Sequence, residues 1–124
     1  MTEEFLSEIR SLLSTDGVVV ANTFASSALY DHESVTYEKV FGDLLNFKMP
    51  GTGNRVIVAS AQALPNTATL KRNAAYLMPL LSPYSVDSMS FLPYLKREKD
   101  WNPKAKPLTD QFAPVNLLRG VPRQ

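Results

Sequence analysis

Phe5, Leu6, Ile9, Leu12 and Leu13 recur with the spacing of one helical face, while Glu3, Glu4, Glu8 and Arg10 lie off it. An opening helix follows from that spacing. Thr2 is its expected cap, and the first-turn acids oppose the positive end of the helix dipole. Gly17 is expected to supply the left-handed residue that ends the helix, or the turn just after it. The block Val18, Val19, Val20, Ala21 then runs apolar without alternation and continues through Asn22 and Thr23 to Phe24. A strand covered on both faces of a sheet has this pattern, and such strands are usually central and parallel.

A second helical pattern follows at Tyr37, Val40, Phe41, Leu44 and Leu45, with Asp31 or Ser34 as its expected cap. Phe47 to Met49 and Arg55 to Ala61 are short β-like runs joined by Pro50-Gly51-Thr52-Gly53-Asn54, a turn composition that predicts a hairpin. A right-handed crossover is expected to make the second strand parallel to the first, and the hairpin returns the third antiparallel. Leu70, Ala74, Leu77, Met78 and Leu81 predict a helix over 66–81, distorted in its last turn by Pro79. A short helical stretch from Val86 to Lys96 is expected to be kinked or ended by Pro93. The remaining tail, rich in proline and lysine, is expected to wrap over the surface, with Trp101, Phe112, Val115, Leu117 and Leu118 as anchors. The expected division is therefore an α/β unit over 1–81 and an irregular helical, proline-rich extension over 82–124 packed on it.

This arrangement leaves one strand edge over. An apolar strand such as Val18 to Phe24 needs a neighbour on each side, and only the hairpin is at hand. Either two copies pair there, or the segment is the later part of a larger sheet.

Composition narrows the chemistry. A chain of 124 residues suits one domain. Thirteen Lys and Arg against 12 Asp and Glu leave no global field to draw in nucleic acid or an anionic membrane. With no cysteine, disulfides, thiolate zinc sites and cysteine nucleophiles are excluded, and a cytoplasmic setting is the economical expectation. The start "MTEEFLSEIR" is acidic and amphipathic, and no segment approaches the ~20 apolar residues of a membrane span, so a soluble, unprocessed chain is expected. His32, the only histidine, would need a partner and a substrate to act as a base, and is read first as a solvated first-turn residue. Asp31 and Glu33 beside it are read first as caps and dipole partners. "KREKDWNPKAK" is interrupted by Glu98 and Asp100 and reads as a solvated linker with one aromatic anchor rather than a nucleic-acid patch. No histidine cluster supports a metal site. The glycine pair Gly51 and Gly53 leads into a strand, so it lacks the helix N-terminus that a nucleotide loop requires.

"FLSEIRSLLSTDGVVVANTF", the "YDHES" helix, the "NRVIVAS" strand and the late "LTDQFAPVNLL" together resemble the C-terminal part of spermidine synthase-like proteins, the polyamine aminopropyltransferase family. The resemblance implies the later half of a doubly wound, Rossmann-like sheet of the S-adenosylmethionine-dependent methyltransferase type. That half would hold a parallel strand pair and a C-terminal antiparallel hairpin strand, flanked by helices. Val18 to Phe24 would be the fifth strand, Phe47 to Met49 the sixth and Arg55 to Ala61 the seventh. The implied chemistry is aminopropyl transfer from decarboxylated S-adenosylmethionine to a polyamine acceptor, in which a neutral amine attacks the carbon beside a sulfonium. The family's glycine-rich loop and catalytic aspartate lie upstream of the matched region. The chain alone is therefore expected to bind no nucleoside cofactor and to be inactive, with no catalytic residue of its own.

Two departures concern the acceptor. Asn22-Thr23-Phe24 stands where the family has a glutamine-glycine-glutamate-like segment, and Met49-Pro50-Gly51-Thr52 replaces a tyrosine-proline-serine-glycine segment. Strand C-termini line the crevice of such sheets, so Asn22, Thr23 and Phe24 are the expected substrate contacts. Asp110, in "LTDQFAP", joins them as a candidate beside the substrate opening or as a helix cap. Two alternatives stand beside this reading. One is a non-catalytic module, homodimerising or completed by a partner through the edge of Val18 to Phe24; the other is part of an S-adenosylmethionine-dependent methyltransferase.

Overall fold

A computed structural model describes residues 1–118 and 120–124. Helix α1 (Glu3–Leu12) begins as its cap predicts, with the Thr2 hydroxyl accepting from the Phe5 amide at 3.4 Å. It is anchored by Leu6, which is fully buried, whereas Leu12 at the end of the same apolar stripe is 84% exposed. Gly17 does not take the left-handed conformation. The helix stops at Leu13, whose extended backbone already breaks the spiral.

Strands β1 (Val18–Phe24), β2 (Leu44–Phe47), β3 (Asn54–Ser60) and β4 (Leu95–Lys96) form one sheet in the order β1-β3-β2-β4, with every neighbouring pair antiparallel. Because β1 and β2 both oppose β3, they run in the same direction. They are not a bonded parallel pair, however, since β3 inserts between them. Register places Val19, Ala21 and Thr23 on one sheet face with Arg55, Ile57 and Ala59 of β3 and Leu44 and Asn46 of β2. Helix α2 (Tyr30–Phe41) packs on that face, and Ala21, Ile57, Ala59 and Leu44 join Leu6, Tyr30, Tyr37, Val40 and Trp101 in the core. Fully burying one leucine-sized side chain in such a core contributes about 1.5–3 kcal/mol.

The opposite face is unevenly covered. Helices α3 (Thr67–Leu81) and α4 (Ser88–Phe91) lie on the β2 side, where Phe91 meets Phe47 edge-on at 5.8 Å. Among the described residues, no helix covers β1 there. Val18, Val20 and Phe24 are 56, 63 and 62% exposed, and β1 bonds to β3 alone. The expectation that β1 is covered on both faces is thus overturned: its valines alternate between the core and an open face.

Three further expectations are corrected. Helix α2 starts one residue after Leu29 with no side-chain cap, so neither Asp31 nor Ser34 caps it. Ser34 lies inside the helix and donates to the Tyr30 carbonyl at 2.6 Å. The helix ends at Phe41 because Gly42 takes φ 82°, a conformation that side chains resist. Leu44 and Leu45, spaced like helix residues, therefore open β2 instead, and β2 ends at Phe47 rather than beginning there. Residues 86–96 are also less helical than predicted: after α4 and a 3-10 turn at Leu92–Tyr94, Leu95 and Lys96 pair with Asn46 and Phe47 as β4. Helix α3 matches its expected span, capped by the Asn66 side chain and continuing through Pro79 to Leu81. The predicted hairpin turn is present between β2 and β3, with Gly51 at φ 77°.

From residue 97 onward the chain crosses the outside of α2. Trp101 is buried and donates from Nε1 to Glu38 at 3.1 Å. Leu108, 1% exposed, sits where its amide donates to the Thr36 hydroxyl at 2.8 Å. Leu117, an expected anchor, is 79% exposed. The chain ends in helix α5 (Val115–Leu118) and a segment that returns to the β1–α2 loop. None of the helices described is long and apolar enough to cross a membrane.

Candidate functional site

The C-terminal end of β1 and the loop that follows it form one side of a cleft of about 680 Å³. Asn22, Thr23 and Phe24 line it, as do Ser26, Ser27 and Leu29 of the loop. The other side comes from the far end of the chain: Val115, Gly120, Val121 and Pro122. Glu33, from the first turn of α2, is the one acid among the described residues that line this cleft. Three of the four sequence-predicted contacts are therefore brought together. The fourth, Asp110, sits at the start of α1, where it accepts from the Thr2 hydroxyl at 2.6 Å while its own amide donates to Glu4 at 3.0 Å.

Behind Glu33 stands Arg55, whose side chain is fully buried. Its Nε donates to the Thr23 hydroxyl at 2.9 Å and its Nη1 to the Ser34 hydroxyl at 2.6 Å. The guanidinium carbon lies 3.9 Å from the centre of the Tyr30 ring, a stacked cation–π geometry. Its Nη2 is 3.5 Å from Glu33 Oε2, and both atoms are buried without a hydrogen bond. A buried charge is tolerable when an opposite charge and good donors surround it. Arg55 meets that condition more fully than Glu33 does. Burial pushes the Glu33 carboxyl above its ordinary value of 4.5, and the Arg55 charge offsets only part of that rise.

A second polar cluster borders the first. Tyr30 donates its hydroxyl to Asp100 at 2.7 Å and accepts from Lys48 at 3.2 Å, and Lys48 and Asp100 form an ion pair. Burial alone would raise the Asp100 carboxyl, but the hydrogen bonds from Lys48 and Tyr30 outweigh it and hold the group below 3.8. Arg123 pairs with Asp31 at 3.1 Å and lies 4.1 Å from the Tyr30 ring centre.

His32 is not part of the cleft lining. Its Nδ1 is 2.7 Å from the Lys106 carbonyl, which requires a proton on that nitrogen, and its ring lies 5.9 Å from Phe112. Asp31 accepts from the Asn102 amide at 3.2 Å as well as from Arg123. Both residues tie the C-terminal tail to α2, a role that spacing within the helix does not disclose.

Sequence reasoning passed over Glu33 and Arg55 as site residues. A signal existed for Arg55: strand alternation puts it in phase with Ile57 and Ala59, which are both buried. For Glu33 there was none, since its cleft is closed by residues more than 80 positions downstream. Elsewhere, a cavity of about 450 Å³ between α1 and α2 is lined by Glu3, Arg10 and Lys39. Its charges are already engaged, Lys39 with Glu3 at 2.8 Å and Arg10 with the Val40 carbonyl at 2.5 Å.

Of the chain's five glycines, Gly51 and Gly53 turn β2 into β3 and Gly42 ends α2. Among the described residues none of them directly precedes a helix.

No family model and no solved structure matches the chain. Among curated proteins it is similar to the polyamine aminopropyltransferase of Vibrio vulnificus (strain CMCP6), with 48% identity over 120 residues. That match takes in 96% of this chain but 40% of the Vibrio protein, so the chain spans less than half the length of the relative it matches. Identity of this order over 96% of the chain bears out the resemblance to the C-terminal part of spermidine synthase-like proteins.

Proposed function

We propose that this chain forms the amine-acceptor side of a spermidine synthase-like aminopropyltransferase. The observation that carries the proposal is Glu33, a largely buried carboxyl set into the cleft at the C-terminal end of β1. An aliphatic amine has two parts, an ammonium and a hydrocarbon chain. A carboxylate with few competing donors suits the first, and Phe24, Leu29, Val115, Val121 and Pro122 suit the second. Phe24 adds an aromatic face for a cation. Asn22 supplies a neutral polar group for the other nitrogen. One acid in the cleft also fits the needs of the transfer: an acceptor held by one ammonium keeps its second nitrogen away from carboxylates, where it can be neutral and nucleophilic.

The donor is another matter. Decarboxylated S-adenosylmethionine and S-adenosylmethionine carry a nucleoside, and the glycines and helix starts of this chain do not fit it. No catalytic step is assigned to these residues. Strand order supports the reading of the sheet as the later half of a doubly wound methyltransferase-like sheet, because β3 inserts antiparallel between two codirectional strands. The bare edge and face of β1 support completion of that sheet by further polypeptide, whether part of the same protein, a partner or a second copy. Residues 82–124 are then an extension that closes the acceptor cleft rather than a separate unit.

Calorimetric titration tests the proposal. Putrescine should bind the chain and bind Glu33→Gln at least about tenfold more weakly, the loss expected for one charge-assisted contact. Methylthioadenosine should give no heat with either protein. Equal putrescine affinity for both proteins, or none for the unaltered chain, would overturn the acceptor assignment.

A further inference from the structure

One wall of the cleft is attached to the molecule quite differently from the other. The β1 side belongs to the sheet and its core. The C-terminal side, from Gly120 to Gln124, is exposed except at Arg123 and contributes nothing to the hydrophobic core. Besides a local bond from the Val121 amide to the Leu118 carbonyl at 3.0 Å, three contacts hold it. The Ala28 amide donates to the Val121 carbonyl at 2.8 Å, and the Arg123 amide donates to the Ser26 carbonyl at 2.7 Å, forming a short antiparallel bridge centred on Ser27 and Pro122. The third is the Arg123 side chain. It pairs with Asp31 at 3.1 Å, donates to the Asp100 carbonyl at 2.7 Å and lies over the Tyr30 ring.

From this construction we propose that residues 120–124 are a strap that opens and closes the cleft, with Arg123 as its latch. The physical basis is the contrast in what must be broken. Displacing β1 or α2 would expose the core, whereas releasing the strap breaks two backbone bonds, the Arg123 bond to the Asp100 carbonyl, its stacking on Tyr30 and one ion pair whose partners are about 30% exposed. Val121 and Pro122 line the cleft and belong to this strap, so its release removes a wall. The latch also has a chemical logic. Arg123 is a cation held by a carboxylate and an aromatic ring, the same interactions that would attract an amine ligand, so the closed strap screens Asp31 and Tyr30 from the ligand and leaves Glu33 as the acid in the cleft. The strap depends on the acceptor reading only for the identity of the ligand.

Amide hydrogen exchange on the full chain reads the strap without any ligand. In Arg123→Ala, the Ala28 amide should exchange at least about tenfold faster, because a local opening has lost its latch. Amides of β3 should be unchanged, which separates local release from loss of fold. Unchanged exchange at Ala28, or equal acceleration in β3, would overturn the strap. Putrescine on- and off-rates supply a second measurement: both should rise in Arg123→Ala. Should putrescine bind neither protein while Ala28 still exchanges faster, the strap stands and the acceptor assignment fails.

Discussion

Glu33 and Asp100 are carboxyls some distance apart in character, although each faces a cation that lies over the Tyr30 ring, Arg55 for Glu33 and Lys48 for Asp100. Burial raises Glu33 above 4.5, while at Asp100 the bonds from Lys48 and Tyr30 outweigh burial and lower it below 3.8. The consequences for stability have opposite signs. Asp100 contributes stability above the unfolded value of 3.8, and that contribution is lost as pH falls through its lowered folded value. For Glu33, the folded state holds its proton more tightly than the unfolded chain. Its contribution is fully present below 4.5 and is lost as pH rises through the raised folded value. Glu33→Gln should therefore flatten the decline in stability above about pH 4.5, as measured by urea denaturation across that range. A variant whose stability falls with pH as steeply as the unaltered chain would contradict the raised folded value of Glu33.

At the scale of elements, α2 is the post on which the tail is hung. Thr36 donates to the His32 carbonyl at 2.5 Å and accepts the Leu108 amide, whose side chain is 1% exposed. Leu108→Ala should cost about 2–5 kcal/mol in urea denaturation, as expected for emptying a buried leucine site. Thr36→Val keeps the shape but orphans the Leu108 amide, and should cost about 1–3 kcal/mol. Losses below about 0.5 kcal/mol in both would mean that the tail is a surface ornament. Local patterns report such elements unequally. Helix α1 was legible because period and cap agree on it. Leu44 and Leu45 were misplaced because two leucines fit both a helical face and a short strand, and the positive φ of Gly42 decides between them. A two-residue strand such as β4 leaves no periodicity at all. The cleft was half legible: Asn22, Thr23 and Phe24 follow from the end of a strand, but the burial of Glu33 depends on residues 115–122 folding back from the other terminus.

Across the whole molecule, the sheet is finished on one side and open on the other. Its β2 side is covered by α3, α4 and β4, while β1 presents a free edge and three exposed apolar side chains. The cleft lies at that open side, with Asn22, Phe24, Glu33 and Val121 among its lining residues. The proposed function separates two capacities: an acceptor cleft in this chain, and a nucleoside site supplied by further polypeptide. Amide chemical-shift mapping during a putrescine titration tests that separation most directly. Shifts confined to Asn22, Thr23, Phe24, Ser27 and Glu33, and abolished in Glu33→Gln, are the predicted result. Shifts spread over the sheet edge or the α1–α2 cavity, or persisting in Glu33→Gln, would contradict it.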